Sequence, residues 1–396
     1  MLPRLPASAL RALMLAPLLM LAACLSDKEP SSAPPNFQVV AGDGQVTITW
    51  SEDPSLTYWV FSAAADSITP DNYKNFPQAR VLWPVHSPLV YTGLTNGTTY
   101  AFTMNATNKG SGAGPAAPSI AVKPRPNGTS WTPGTAAGSA DLRAVTYAGG
   151  YLAVGLGGAF YTSADGKTWT AGTSGTGAAL YDINYNGATL TAVGESGVVL
   201  TSSDAKTWTA GSVGSSVKLN SVTFAGAQFV AVGDGGAIFT STDAKAWTAR
   251  TSGTTQNLAK VIYDGTAFRV AGAAGTLLSS TDAVTWTVQT SNTTADLRDL
   301  AFNGTTYLVV GAAGTMLTSS DGTAWTVATA VTQQDLNTVV AGSQFVVAGA
   351  AGTLLYGAPG GWTVTSAGST ATVYDLVRAG AAIVAVGAAG SNASSI

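Results

Sequence analysis

A stretch of the form Ser-x-Asp-x-x-x-Trp-Thr is written five times, and its aspartates, Asp165, Asp204, Asp243, Asp282 and Asp321, stand 39 residues apart. The tryptophans Trp169, Trp208, Trp247, Trp286 and Trp325 keep the same step, while Trp131 and Trp362 flank them at 38 and 37 residues. A fixed period near 40 makes each period one small supersecondary unit that buries its apolar faces only against its neighbours. That constraint rules out a chain organised around one central core.

Each period reads alike. From Leu219, a first strand ends in a turn at Ala225-Gly226, and Phe229 to Gly233 forms a near-continuously apolar second strand. Gly233 to Gly236 is a turn, Ala237 to Ser241 a third strand, and Trp247-Thr248 opens a fourth. Four short antiparallel strands per period predict a β-propeller. The first glycine of the Gly-x-x-Gly turn recurs at Gly155, Gly194, Gly233, Gly272, Gly311, Gly349 and Gly387, which predicts seven blades. These turns are expected to be hairpins that need positive φ. Strands rather than a helix follow the glycines, so a phosphate-binding loop is excluded. The last period ends before any Trp strand, while Trp131 stands alone before the first full one. The expected closure has the Trp131 strand complete the last blade, which removes both exposed sheet edges at the seam.

The Ser-x-Asp-Gly-x-Thr-Trp stretch resembles the Asp-box of sialidases and of the photosystem II assembly factor propellers. The resemblance implies a structural role: Asp165, Asp204, Asp243, Asp282 and Asp321 accept backbone N–H groups across a turn, and Trp169, Trp208, Trp247, Trp286 and Trp325 cover the strand junction. Each loop offers one carboxylate, too few for calcium, and neither a metal nor a cofactor is expected. The sixth period has lost the box, reading Gly357-Ala358-Pro359-Gly360-Gly361-Trp362. A sialidase site is not expected, because Arg143, Arg250, Arg269, Arg298 and Arg378 fall at different positions of the unit.

Ahead of the repeat, residues 36–123 alternate with period two, as in Gln45 to Trp50 and Tyr100 to Ala106. Leu94-Thr95-Asn96-Gly97-Thr98-Thr99-Tyr100 and Trp50 resemble a fibronectin type III domain, which implies a Tyr100 hydroxyl tied to upstream backbone. Trp59 and Trp83 are expected in its core. Residues 124–128 form a short stiff linker to the repeat at 129–396. Residues 1–23 have a positive start (Arg4, Arg11) and a short apolar run, as in a signal peptide. Leu21-Ala22-Ala23-Cys24 resembles the lipobox of bacterial lipoproteins, which implies lipidation of Cys24, the one cysteine of the chain. Leu25 after it implies the outer membrane. The proline-rich residues 24–35 then serve as a tether.

Only 10% of residues are charged and the formal net charge is −3, which gives no basic stripe for nucleic acid. No catalytic residue is assigned. The charges that project to one mouth of the expected channel are Arg143, Asp182, Glu195, Asp234, Lys260, Arg298, Asp299 and Asp375, with Tyr181 and Tyr374 beside them. They suggest non-catalytic binding of a protein or glycan by a surface-anchored lipoprotein. One alternative is a glycoside hydrolase using two of these carboxylates. A second is an assembly factor for envelope complexes.

Overall fold

The computed structural model describes residues 29–108, 112–126, 128–380 and 382–395. Cys24, the expected signal segment and Ile396 lie outside them. The chain divides into two compact units, one of residues 1–39, 48–89 and 99–121, the other of 40–47, 90–98 and 122–396. Among the described residues no helix is long and apolar enough to cross a membrane.

The described residues before 123 form strands and turns, with one short 3-10 helix at Tyr73–Asn75. Gln38–Ala41, Gln45–Thr49 and Leu89–Thr92 form a three-stranded sheet. Arg80–Val85, Thr57–Ala63, Tyr100–Thr107 and Ile120–Val122 form a four-stranded one in that order. Burial alternates along Gln45–Thr49, where Val46 and Ile48 are buried, whereas Tyr100 to Ala106 is buried without interruption because its strand lies inside the four-stranded sheet. The Tyr100 hydroxyl meets the side-chain oxygen of Gln78. Trp83 corrects the expectation of a core residue. It lies on an edge strand, 58% exposed, stacked on Trp59 at 4.8 Å.

The repeat forms seven four-stranded antiparallel sheets, here numbered I to VII. Their first strands are Leu142–Tyr147, Leu180–Tyr185, Leu219–Ala225, Leu258–Tyr263, Leu297–Phe302, Leu336–Val340 and Val373–Ala379. Sheet VII takes its fourth strand from Thr132–Pro133, which pairs antiparallel with Asn392–Ser395 through Ser394↔Thr132 and Ala393↔Pro133. The first strands neighbour one another in chain order, and that of sheet VII returns to that of sheet I, so the ring is closed.

Second strands such as Phe268–Gly272 are buried throughout, because both faces of every sheet are covered. One apolar cluster fills each junction, and a tryptophan of the following sheet packs on it. Trp208 joins the cluster of sheets I and II, Trp247 that of II and III, and Trp286 that of III and IV. Trp325, Trp362, Trp131 and Trp169 continue around the ring, the last between sheets VII and I. In each Ser-x-Asp turn the aspartate accepts two backbone N–H groups, as Asp165 does from Lys167 and Thr168 at 2.8 Å. Those bonds hold the Asp165, Asp204 and Asp282 carboxyls down at about 2. Sheet VI, which lacks the box, closes its outer hairpin through Pro359-Gly360 between Leu354–Ala358 and Gly361–Thr365.

The Gly-x-x-Gly turn differs from the expectation at its first glycine. Gly155, Gly194, Gly233, Gly272, Gly311, Gly349 and Gly387 are extended, with φ between −160° and −170°. They are glycine because a neighbouring backbone occupies the space of a side chain: a Cβ on Gly233 would lie 2.1 Å from the Lys218 carbonyl oxygen. Positive φ falls on the later residues, Gly235 (66°) and Gly236 (76°) in this turn. Gly233→Ala is therefore expected to destabilise the protein by about 2–3 kcal/mol in chemical denaturation. Gly235→Asn, in open space at a left-handed position, should stay within about 0.5 kcal/mol of the parent.

Candidate functional site

The close approach at these glycines shapes one end of the ring. Leu180 pairs with Gly194 and Asp182 with Val193, so Tyr181 is the extra residue of a β-bulge. The same shift skips Asn220, Ala259, Arg298, Asn337 and Tyr374 in their sheets, and Arg143 in sheet I. A bulge releases its extra residue from the ladder and re-aims it. All seven of these residues line one cavity of about 430 Å³ at the mouth of the ring. The residue after each bulge points one step deeper. Asp182, Lys260, Asp299 and Asp375 line a second cavity, of about 360 Å³, in the channel.

The expected site thus divides into two tiers. Arg143, Tyr181, Asp234, Arg298 and Tyr374 are at the mouth, and Glu195 accepts a hydrogen bond from the Tyr181 hydroxyl at 2.9 Å. The Arg143 guanidinium lies 3.9 Å from the centre of the Tyr374 ring and donates to Asp141 at 2.9 Å. Lys218 sits over the Tyr181 ring at 4.1 Å. Arg298 donates to Asn337 at 2.6 Å and to Asp335 at 2.7 Å. The Asp335 carboxyl is held below its usual range, first by the Ala313 N–H and then by Arg298. Burial pushes the Tyr181 and Tyr374 hydroxyls up, and hydrogen bonds to Glu195 and Asp141 add to it. Each cation thus has its partner within the rim, which fixes these long side chains before any ligand arrives.

Lys218, Asn220, Asn257, Asp296 and Asn337 also line the cavity and were not picked out from the sequence. Their signal was positional: each stands at the bulge or directly before the first strand, where charge is not required. The residue before the strand also locks the preceding sheet. Asn257 accepts the Gly235 N–H, Asp296 that of Ala274, and Asp335 that of Ala313, each at 2.9 Å.

In the channel the three aspartates face backbone rather than the mouth. Asp182 accepts the Val222 N–H at 3.0 Å and the Ser221 hydroxyl at 2.6 Å, and Lys260 reaches it at 3.3 Å. Asp299 accepts Leu300 and Val339 N–H groups, both at 2.8 Å. Asp375 accepts the Val145 N–H at 2.8 Å and the Thr338 hydroxyl at 3.2 Å. Every one of these carboxylates ties its own sheet to the next, so the structure gives them a fastening role. Among the described residues no group of side chains is suited to hold a metal ion. Arg269 is buried on Asp264 and the Gly322 carbonyl, and Arg250 bonds Thr240, so neither joins the mouth.

A closed ring of four-stranded antiparallel sheets around a channel defines this chain as a β-propeller protein. Solved propellers match it at low identity. YCF48 from Cyanidioschyzon merolae is 15% identical with a TM-score of 0.56, over 67% of this chain and 98% of that one. YCF48 bound to D1 peptide is 14% identical with a TM-score of 0.57, over 68% and 95%. An inactive virginiamycin B lyase from Staphylococcus aureus with quinupristin is 8% identical with a TM-score of 0.62, over 67% and 99%. At these identities the likeness is one of fold. No protein-family model and no curated protein matches the sequence.

Proposed function

We propose that this chain is a protein-binding scaffold of the bacterial envelope, a seven-bladed propeller that holds a segment of a partner protein at its mouth. The observation that carries this reading is the ring of bulge residues: seven side chains released from their ladders converge on one cavity, and all but Ala259 are braced by rim partners. The similar YCF48 propeller has been solved with a D1 peptide bound, which supports a peptide over a glycan and favours assembly of a larger complex. The glycoside hydrolase reading loses support because Asp182, Asp299 and Asp375 hold backbone N–H groups of neighbouring sheets. On the same reading residues 36–123 are a fibronectin type III-like spacer, and Cys24 carries the lipid that anchors the chain, with Leu21-Ala22-Ala23-Cys24 as the supporting motif.

A photo-crosslinking residue at Asn337, compared with one at Thr209 on an outer strand, tests the binding face in cells. Discrete protein adducts from position 337 that disappear with Arg143→Ala/Arg298→Ala are expected. Equal adducts from both positions, or retention of glycans with no protein adduct, would overturn the reading. Separately, Cys24→Ser should abolish incorporation of labelled fatty acid and move the protein out of the membrane fraction. Unchanged fractionation would remove the anchor from the account.

A further inference from the structure

The channel tier carries more than its fastening role. At one register, sheets I to VII present Ala144, Asp182, Ser221, Lys260, Asp299, Thr338 and Asp375. The bulge beside each leaves the next backbone N–H outside its ladder, and each such N–H finds an acceptor on this ring. Where the preceding sheet offers Ala144 or Lys260, which accept nothing, Asp182 and Asp299 turn a second oxygen to the Ile183 and Leu300 N–H groups of their own strands. Ser221 and Thr338 serve Val261 and Leu376. Three carboxyl groups are therefore committed to one narrow channel, whose lining holds the Lys260 ammonium and, three residues along the strand from Asp375, the Arg378 guanidinium.

The three are not equivalent. Lys260 lies at 3.3 Å and 3.4 Å from the Asp182 oxygens. Asp299 receives two backbone N–H groups. Asp375 receives one N–H and a longer hydroxyl contact, the weakest set of donors. Around it, sheet I offers Ala144 and Val145, sheet VI offers Thr338, and its own hairpin partner is Val386. Across the channel it faces Asp182, Asp299 and Lys260. Arg143, Asp141 and Tyr374 are engaged with one another at the mouth. The N–H that Asp375 holds belongs to sheet I, so it acts at the junction where the two ends of the repeat meet.

We propose that closure of the ring between sheets VII and I is proton-dependent: Asp375 fastens Val145 as a neutral carboxylic acid, and its ionisation loosens that junction. A carboxylate would bind the N–H more strongly in isolation, but Asp375 shares the channel with Asp182 and with Asp299, whose own carboxyl is also pushed up by burial, and crowding like charges around the Lys260 ammonium outweighs that gain. Burial, opposed by Lys260 and reinforced by the two aspartates, pushes the Asp375 carboxyl up to about 7. Some of its surface stays open to the channel, so water screens these charges and weakens the effect.

In the unfolded chain Asp375 ionises near its ordinary 3.8. Between that value and about 7 the folded ring holds a proton that the unfolded chain has lost, so stability falls as pH rises across this window and levels off above it. The box aspartates act in the opposite sense and lower down: their stabilisation is full above 3.8 and lost as pH falls towards about 2.

Hydrogen exchange of the Val145 amide in the full chain, corrected for intrinsic rates, reads the junction directly. Its opening constant is expected to rise severalfold per pH unit between pH 5 and 6.5, at most about tenfold for one proton, and the rise should vanish in Asp375→Asn. An opening constant that does not rise over that interval in the parent, or the same rise in Asp375→Asn, would overturn the proposal. If Asp375→Asn does not fold, carboxyl carbon NMR of the parent decides, with a midpoint above about 6 expected and one below about 5 overturning it. The proposal stands or falls independently of what the mouth binds.

Discussion

A sheet with two apolar faces has no stable existence alone, and that constraint governs the C-terminal two-thirds of this chain. Each four-stranded unit buries its second and third strands only when another sheet lies on either side. An open stack would leave two such faces bare, whereas the ring leaves none. The tryptophan of each fourth strand fills the wedge at its junction, where two twisted sheets diverge. At the last junction Trp131 does this from the start of the repeat, so completing sheet VII and covering it are one event.

The same packing creates the mouth. Backbone presses so closely on Gly155 and its equivalents that no side chain fits there, and the strand opposite expels one residue from its ladder. That residue faces the mouth, and its successor faces the channel. Packing thus fixes where the variable residues stand while leaving their identity free. Arg, Tyr, Asn and Ala all occupy the bulge without disturbing the ring. A repeat scaffold can in this way carry a recognition surface unrelated to the residues that stabilise it.

Much of this was legible in the sequence. The step from Asp165 to Asp321, the Gly-x-x-Gly turns and the solitary Trp131 pointed to the ring of sheets and to its closure, because each reports a backbone requirement that recurs. The mouth was legible only where it is charged or aromatic, as at Arg143, Tyr181, Arg298 and Tyr374. Asn220, Asn257 and Asn337 passed unnoticed, since an uncharged amide at or just before a strand's start carries no signal until the bulge is known. Asp182, Asp299 and Asp375 were placed at the mouth but stand one residue deeper, because pleating turns successive residues to different sides. The left-handed conformation was assigned to the whole turn, whereas the first glycine answers to crowding. Trp83 was read as core, whereas its strand stands at the edge of its sheet and is exposed from Arg80 to Pro84.

The closure of the ring is tested most directly by cysteines at Thr132 and Ser394, which are paired across the seam, in a Cys24→Ser background. Mild oxidation should yield a disulfide within each molecule, detected by mass after tryptic cleavage, and should raise the thermal midpoint. Failure of the two thiols to join in the folded protein, with each remaining free to alkylation, would contradict the closed ring.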